Sequence, residues 1–163
     1  MLSNHSNIAD NDQEARAQEI EIMHSIYKPY NFSISEDFSE VVLTAVVEIP
    51  EGKYVFCGEA DLKFELKPFA VELRASLPVN YPSEAPPEIK HLSGPFLSPS
   101  VIEIVKAELR EKWTEQNPVL FDWCSYLQND LQTLLFGEAD LEIELDELQL
   151  YKNRVWKALN FLL

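Results

Sequence analysis

Tyr81-Pro82-Ser83-Glu84-Ala85-Pro86-Pro87 is the stretch on which the fold of this chain turns. Three prolines in seven residues fix φ three times and remove three N–H donors, so the segment can join neither a central strand nor a helix. It must be a rigid, multiply turned linker, and Tyr81 brings a hydroxyl able to tie the turns together. The prolines lack the P-x-x-P spacing of a polyproline II ligand, so a structural role is expected.

The flanking residues alternate with period 2, the signature of strands. Val41, Leu43, Ala45, Val47 and Ile49 point one way, and Glu40, Thr44 and Glu48 the other. Pro50-Glu51-Gly52-Lys53 is a turn with glycine where φ must be positive. Tyr54, Phe56, Leu62, Phe64 and Leu66 carry a second strand, which Gly58 bulges or breaks. Phe69, Val71, Leu73, Ala75 and Leu77 form a third, and a fourth is predicted at 87–92. Short turns between consecutive strands favour an antiparallel meander with one wet face.

Further out the period becomes helical. Asp10 or Asp12 is predicted to cap a helix whose apolar stripe is Ile20, Ile22, Met23, Ile26 and Tyr27, stopped by Pro29. Ser98-Pro99 starts another, with a hydroxyl cap and a proline at the first helical position, and Ile102, Val105, Leu109 and Trp113 on its inner face. Asn117-Pro118 repeats the signal before Trp123, Leu127, Leu131 and Leu134, and Gly137 supplies the stop. Trp113 and Trp123 are expected in the core. The element order is α-β-β-β-β-α-α, an α+β architecture.

Length and composition bound the rest. The 163 residues suit one domain, divided here into a flexible 1–9, a folded 10–136 and an acidic appendage at 137–163. Thirteen basic against 28 acidic residues leave a formal charge of −15, which repels phosphate backbones and anionic bilayers. Neither nucleic acid nor membrane is an expected partner. The longest uncharged apolar run, 41–47, is far below the roughly 20 residues that span a bilayer. Cys57 and Cys124 are too few for a disulfide framework or a thiolate zinc site, and with His5, His24 and His91 they show no metal-ligand spacing. Reduced thiols and the lack of a secretory signal at the start point to the cytoplasm, with the nucleus also open. No metal or cofactor is expected. In the appendage, Glu138–Glu147 is acidic without a base, and Leu141, Leu145, Leu148, Val155, Leu159 and Leu162 keep near-heptad spacing. A helix is predicted over 146–161, 138–145 is left open between helix and strand, and the tail could dock a basic partner or form a self-association seam.

The Tyr81-Pro82…Pro86-Pro87 pattern after a strand resembles the RWD domain. So do a first helix ending in Ile22-Met23-His24-Ser25-Ile26-Tyr27 and two helices after the sheet. The resemblance covers about residues 10–136. Leu92-Ser93-Gly94-Pro95-Phe96-Leu97-Ser98-Pro99 and Val119-Leu120-Phe121-Asp122-Trp123 are similar, more narrowly, to the N-terminal RWD domain of RING-between-RING ubiquitin ligases. The resemblance implies a sandwich like that of ubiquitin-conjugating enzymes, with Tyr81, Pro82, Pro86 and Pro87 as its fold motif. It also implies protein partners, either ribosome-associated stress regulators or ubiquitin-pathway enzymes. It assigns no partner-binding residue.

Catalysis is disfavoured on the residues themselves. Conjugating enzymes need a thiolate cysteine shortly after a His-Pro-Asn element that supports the oxyanion. His91 is followed by Leu92-Ser93, and no cysteine appears before Cys124, inside a predicted helix. Cys57 with His91 could be drawn as nucleophile and base, but nothing orients the pair. Ser98-Pro99 also fits proline-directed phosphorylation, although capping already gives Ser98 a role. The expected function is a noncatalytic adaptor in ubiquitin ligation or ribosome-linked stress signalling. The alternative is the recruiting portion of a RING-between-RING ligase without its zinc modules.

Overall fold

A computed structural model of the chain describes residues 2–137 and 141–142, with side chains over 10–137. Helix α1 runs Leu2–Ile26, followed by strands β1 (Phe32–Ile34), β2 (Glu40–Val47), β3 (Tyr54–Cys57), β4 (Leu62–Glu65), β5 (Phe69–Ser76) and β6 (Glu88–Ser93). Helices α2 (Pro99–Lys112), α3 (Leu120–Ser125) and α4 (Leu131–Phe136) come next, then the two-residue strand β7 (Leu141–Glu142). The remainder of the appendage, including the predicted helix and seam, lies outside the described residues.

The main sheet has four antiparallel strands in the order β1-β2-β5-β6. Its centre is the β2–β5 ladder, in register from Glu40↔Ser76 to Val47↔Phe69. The alternation predicted for both strands places Val41, Leu43, Ala45 and Val47 opposite Ala75, Leu73, Val71 and Phe69, all buried. The 54–66 stretch is not a strand of this sheet. It breaks at Gly58 into the β3–β4 hairpin of a second sheet, ordered β4-β3-β7, and β1 takes the fourth place in the main one. The hairpin's parity also differs from expectation: Val55 and Cys57 face the core while Tyr54 and Leu62 are exposed. A strand in a separate sheet takes its facing from its own turns, and one residue of shift exchanges the two faces.

α1 begins eight residues earlier than predicted, so 2–9 is helical and neither Asp10 nor Asp12 is an N-cap. Its inner face is also different. Ile20 and Met23 are buried, but Ile22 and Ile26 are 56% and 50% exposed, and the buried stripe is completed by Asp12 and Glu19.

α2 starts as expected, Val101 N–H donating to Ser98 Oγ at 3.4 Å with Pro99 at the first position. Val105 and Leu109 turn inward, and fully buried Trp123 donates its Nε1–H to the Leu109 carbonyl at 2.8 Å, joining α2 to α3. Trp113 is only half-buried. Asn117 does not cap α3; its amide bonds back to Thr114 Oγ1 and the Glu115 carbonyl. Between α3 and α4, Tyr126–Asp130 forms a π-type turn in which Leu131 N–H reaches the Tyr126 carbonyl. The wider turn rotates α4, burying Phe136 and leaving Leu134 exposed, and Gln128 accepts a bond from Glu48 N–H at 2.8 Å. Gly137 ends the helix at φ +57°.

Candidate functional site

The proline segment is partly buried, with Glu84 exposed, and is clamped by α1. Three prolines remove N–H donors, but the carbonyls of the turns remain and need donors. Arg16 supplies them: its Nη1 donates to the Val79 and Tyr81 carbonyls at 2.7 Å each and to Pro78 at 3.4 Å. One turn back, Asp12 accepts from Ser83 N–H at 3.1 Å and Ser83 Oγ–H at 2.6 Å. One turn on, Glu19 accepts the Tyr81 hydroxyl at 2.8 Å. Asp12, Arg16 and Glu19 recur at helical spacing, so α1 turns a polar stripe toward the loop and its isoleucines outward.

Tyr81 and Glu19 also cap a helix. The Tyr81 oxygen accepts from Val119 N–H at 2.8 Å, and Glu19 Oε2 accepts from Leu120 N–H at 3.1 Å. These N–H groups open α3 and have no partner within their own helix. Burial holds the Glu19 carboxyl above its ordinary range, against the lowering effect of the bonds from Tyr81, Leu120 and Val119. Burial, then the neighbouring Glu19, raise Tyr81 above the usual phenol value, so it remains a neutral donor. Of the fold motif, Tyr81, Pro82 and Pro87 are buried and Pro86 half-buried, around a Tyr81–Pro82 bond that is cis.

The thiols are enclosed as well. Cys124 is buried on α3, its pKa pushed up to about 12 by burial despite a hydrogen bond with Tyr27 that lowers it, so it remains a thiol near neutrality. Cys57 is buried on β3 in the second sheet, whereas His91 is exposed on β6 of the main sheet, opposite Arg74. The drawn nucleophile–base pair is not brought together. An open groove of about 340 Å³ runs past Phe56, Gly58, Leu62 and Lys63 with Cys57 at its wall. Among the described residues, no group of three His, Cys, Asp or Glu is arranged to hold a metal ion, and no helix is long and apolar enough to cross a membrane.

What the surface offers instead is exposed apolar side chains in distinct places. Ile22 and Ile26 stand on α1, Phe121 on α3 and Val46 on the open face of the main sheet. Phe38 and Val79 stand at one end of that sheet, 51% and 82% exposed. Periodicity singles out Ile22 and Ile26 but places them in the core, and it passes over Phe38 and Val79, because a lone exposed side chain in a turn leaves no repeating pattern.

The α1 helix, the antiparallel sheet, the buried tyrosine of the proline motif and the C-terminal helices together define a ubiquitin-conjugating-enzyme-like fold. The chain belongs to the RWD domain family, whose family model matches residues 14–131. Among individual proteins, it is similar to the E3 ubiquitin-protein ligase RNF14 of Danio rerio, 31% identical over 138 residues. That match takes in 82% of this chain and 30% of the relative's length, so the chain spans under a third of that ligase. No solved structure matches the chain.

Proposed function

We propose that this chain is a noncatalytic docking domain that recruits protein partners on the ubiquitin-ligation side of the cytoplasm. The observation that carries this reading is the contrast between buried chemistry and exposed apolar groups. The Glu19 carboxyl, the Tyr81 hydroxyl and both thiols are buried, while Ile22, Ile26, Phe38 and Val79 are at the surface. Groups committed to internal hydrogen bonds are poor nucleophiles and bases; exposed apolar side chains on rigid supports suit recognition.

The likeness to a ligase nearly three times as long favours recruitment for ligation, by this chain as an adaptor or as the recruiting portion of such a ligase. Ribosome-linked stress signalling is the other setting, and the two separate experimentally. A quantitative pull-down with tagged 1–163 should enrich ubiquitin-conjugating enzymes or ligases; enrichment of ribosome-associated regulators alone would move the protein to the second setting. Incubation with ubiquitin, activating enzyme and ATP should give no reducible adduct. A thioester on Cys57 or Cys124 would overturn the noncatalytic reading.

A further inference from the structure

Two bulky aromatic residues hold positive φ in this fold, and their surroundings are opposite. Phe96, at φ +67°, packs edge-to-face on Phe69 and Phe136 with centroids 5.4 and 5.5 Å away. Its packing compensates a backbone conformation that costs an L-residue about 1–2 kcal/mol. Phe38, at φ +58°, is half exposed, with no ring or cation stacked on it among the described residues. Asparagine or glycine would suit that turn at lower cost.

The Phe38 turn is nevertheless held firmly. Asp37 Oδ1 accepts from Ser35 Oγ–H at 2.7 Å, Ser39 Oγ–H at 2.6 Å and Ser39 N–H at 3.1 Å. Ser35 Oγ accepts from Glu40 N–H at 3.0 Å, and the Ser35 carbonyl accepts from Phe38 N–H at 3.0 Å. Next to it lies the loop after β5: Leu77 N–H donates to the Ser39 carbonyl at 2.7 Å, and Arg16 pins the Val79 carbonyl from beneath. Two exposed apolar side chains, Phe38 and Val79, are therefore displayed on adjacent, internally bonded turns at one end of the main sheet.

Charge completes the picture. From Pro29 to Gly52 and from Ala75 to Ile89 the chain carries no Lys or Arg, and Glu36, Asp37 and Glu84 punctuate the turns of those stretches, while Glu88 is paired with Lys90 at 3.1 Å and Glu40 has Arg74 as an electrostatic neighbour. Arg16, the cation beneath the tip, is engaged by carbonyls. Asp37, its pKa lowered to about 2 by the bonds from Ser39 and Ser35, stays ionised at neutral pH.

We infer that the sheet-end tip formed by Phe38 and Val79 is a preorganised docking site for a protein bearing an apolar pocket rimmed by Lys and Arg. Phe38 is the anchor, Val79 the adjoining apolar contact, and the carboxylates of the two turns meet the basic rim. The inference rests on the docking reading above and specifies the surface and the partner's chemistry. A rigid aromatic on a bonded turn loses little conformational freedom on binding, which suits an anchor.

The test is site-specific photo-crosslinking of full-length 1–163 in cell lysate, with p-benzoylphenylalanine at position 38 or 79, and at 22 or 46 as controls. The expected result is crosslinking through 38 and 79 well above the controls, mapped by mass spectrometry to a Lys/Arg-rich segment of the partner. Yield through 79 should fall about tenfold in Phe38→Asn, the loss expected of a binding anchor. It should also fall as salt rises from about 0.1 to 0.5 M, because screening weakens exposed charge pairs. Phe38→Asn should keep or raise Tm, since asparagine tolerates the left-handed region.

Crosslinks at 22 or 46 but not at 38 and 79 would overturn this inference and leave the docking reading standing. Crosslinks at none of the four positions would overturn both. A partner segment lacking Lys and Arg, or a fall in Tm with Phe38→Asn, would also overturn the tip assignment.

Discussion

The proline clamp and the sheet-end tip are neighbours along the chain, yet they spend their hydrogen bonds in opposite ways. At the clamp, side chains from α1 reach across the domain, and the bonds of Glu19 and Tyr81 end in buried groups. At the tip, Asp37, Ser35 and Ser39 bond within their own turn and leave an aromatic ring facing water. Arg16 lies between them, its guanidinium fixing the Val79 carbonyl of one and the Tyr81 carbonyl of the other. The difference teaches that a hydrogen-bond network can serve either closure or display. Which it serves is read from where its last partner lies.

The largest expected effect lies at the clamp. Tyr81→Ala should destabilise by about 3–5 kcal/mol, combining an aromatic-sized cavity with orphaned partners in the core. Tyr81→Phe isolates the polar part and should cost about 1–3 kcal/mol, because Val119 N–H loses its acceptor and Glu19 its donor. Denaturant unfolding of both variants checks the order; a Tyr81→Phe protein as stable as wild type would mean the clamp is packing alone.

Glu19→Gln is the next test, and its signature is a pH dependence. Burial raises the folded-state value, so Glu19's stabilising contribution is complete below its ordinary value of about 4.3 and is lost as pH rises through the raised one. Glutamine does not titrate. The stability of wild type relative to Glu19→Gln should therefore decline as pH rises above the ordinary carboxylate range, measured by unfolding at each pH. A flat difference would show that the carboxyl is not raised.

At the tip the sign reverses. Asp37 is depressed to about 2 chiefly by its serine bonds, so the contribution of this exposed carboxylate is present above its ordinary value and fades as pH falls toward 2. Asp37→Asn should lower stability only slightly, most above about pH 4, the ordinary carboxylate range, and progressively less as pH falls toward 2. Smallest of all is Phe38→Asn, with Tm held or raised. Clamp variants should thus lose the fold and tip variants the partner, and a tip variant that unfolds would erase the distinction.

The parts of this fold that the sequence makes legible are those governed by local sterics or strict alternation. Proline's missing N–H identifies the Tyr81 segment as a linker whatever surrounds it, and the alternation of Val41–Val47 with Phe69–Ala75 reports a sheet buried on one face. The inner face of α1 is not legible, because Asp12, Arg16 and Glu19 answer a loop 62 to 71 residues away. An apolar stripe through Ile22 and Ile26 is the reasonable expectation from local spacing and the wrong one in the folded protein. The hairpin parity fails similarly, since Val55 and Cys57 belong to a second sheet that no local pattern announces. Of the candidate site, the acidic turns can be read from composition, but the display of Phe38 depends on a positive φ and on tertiary exposure.

The separation that hides the α1 face from local reading also orders events during synthesis. Glu19 leaves the ribosome long before its partner Leu120, 101 residues later, and the Tyr81 hydroxyl waits 38 residues for Val119. At roughly 5–20 residues per second, α1 carries an unsatisfied polar stripe for several seconds, with nothing yet made to receive it. Closure of the domain is therefore set by the arrival of α3, and any truncation before residue 120 leaves the nascent N-terminal helix without the N–H groups that complete the clamp.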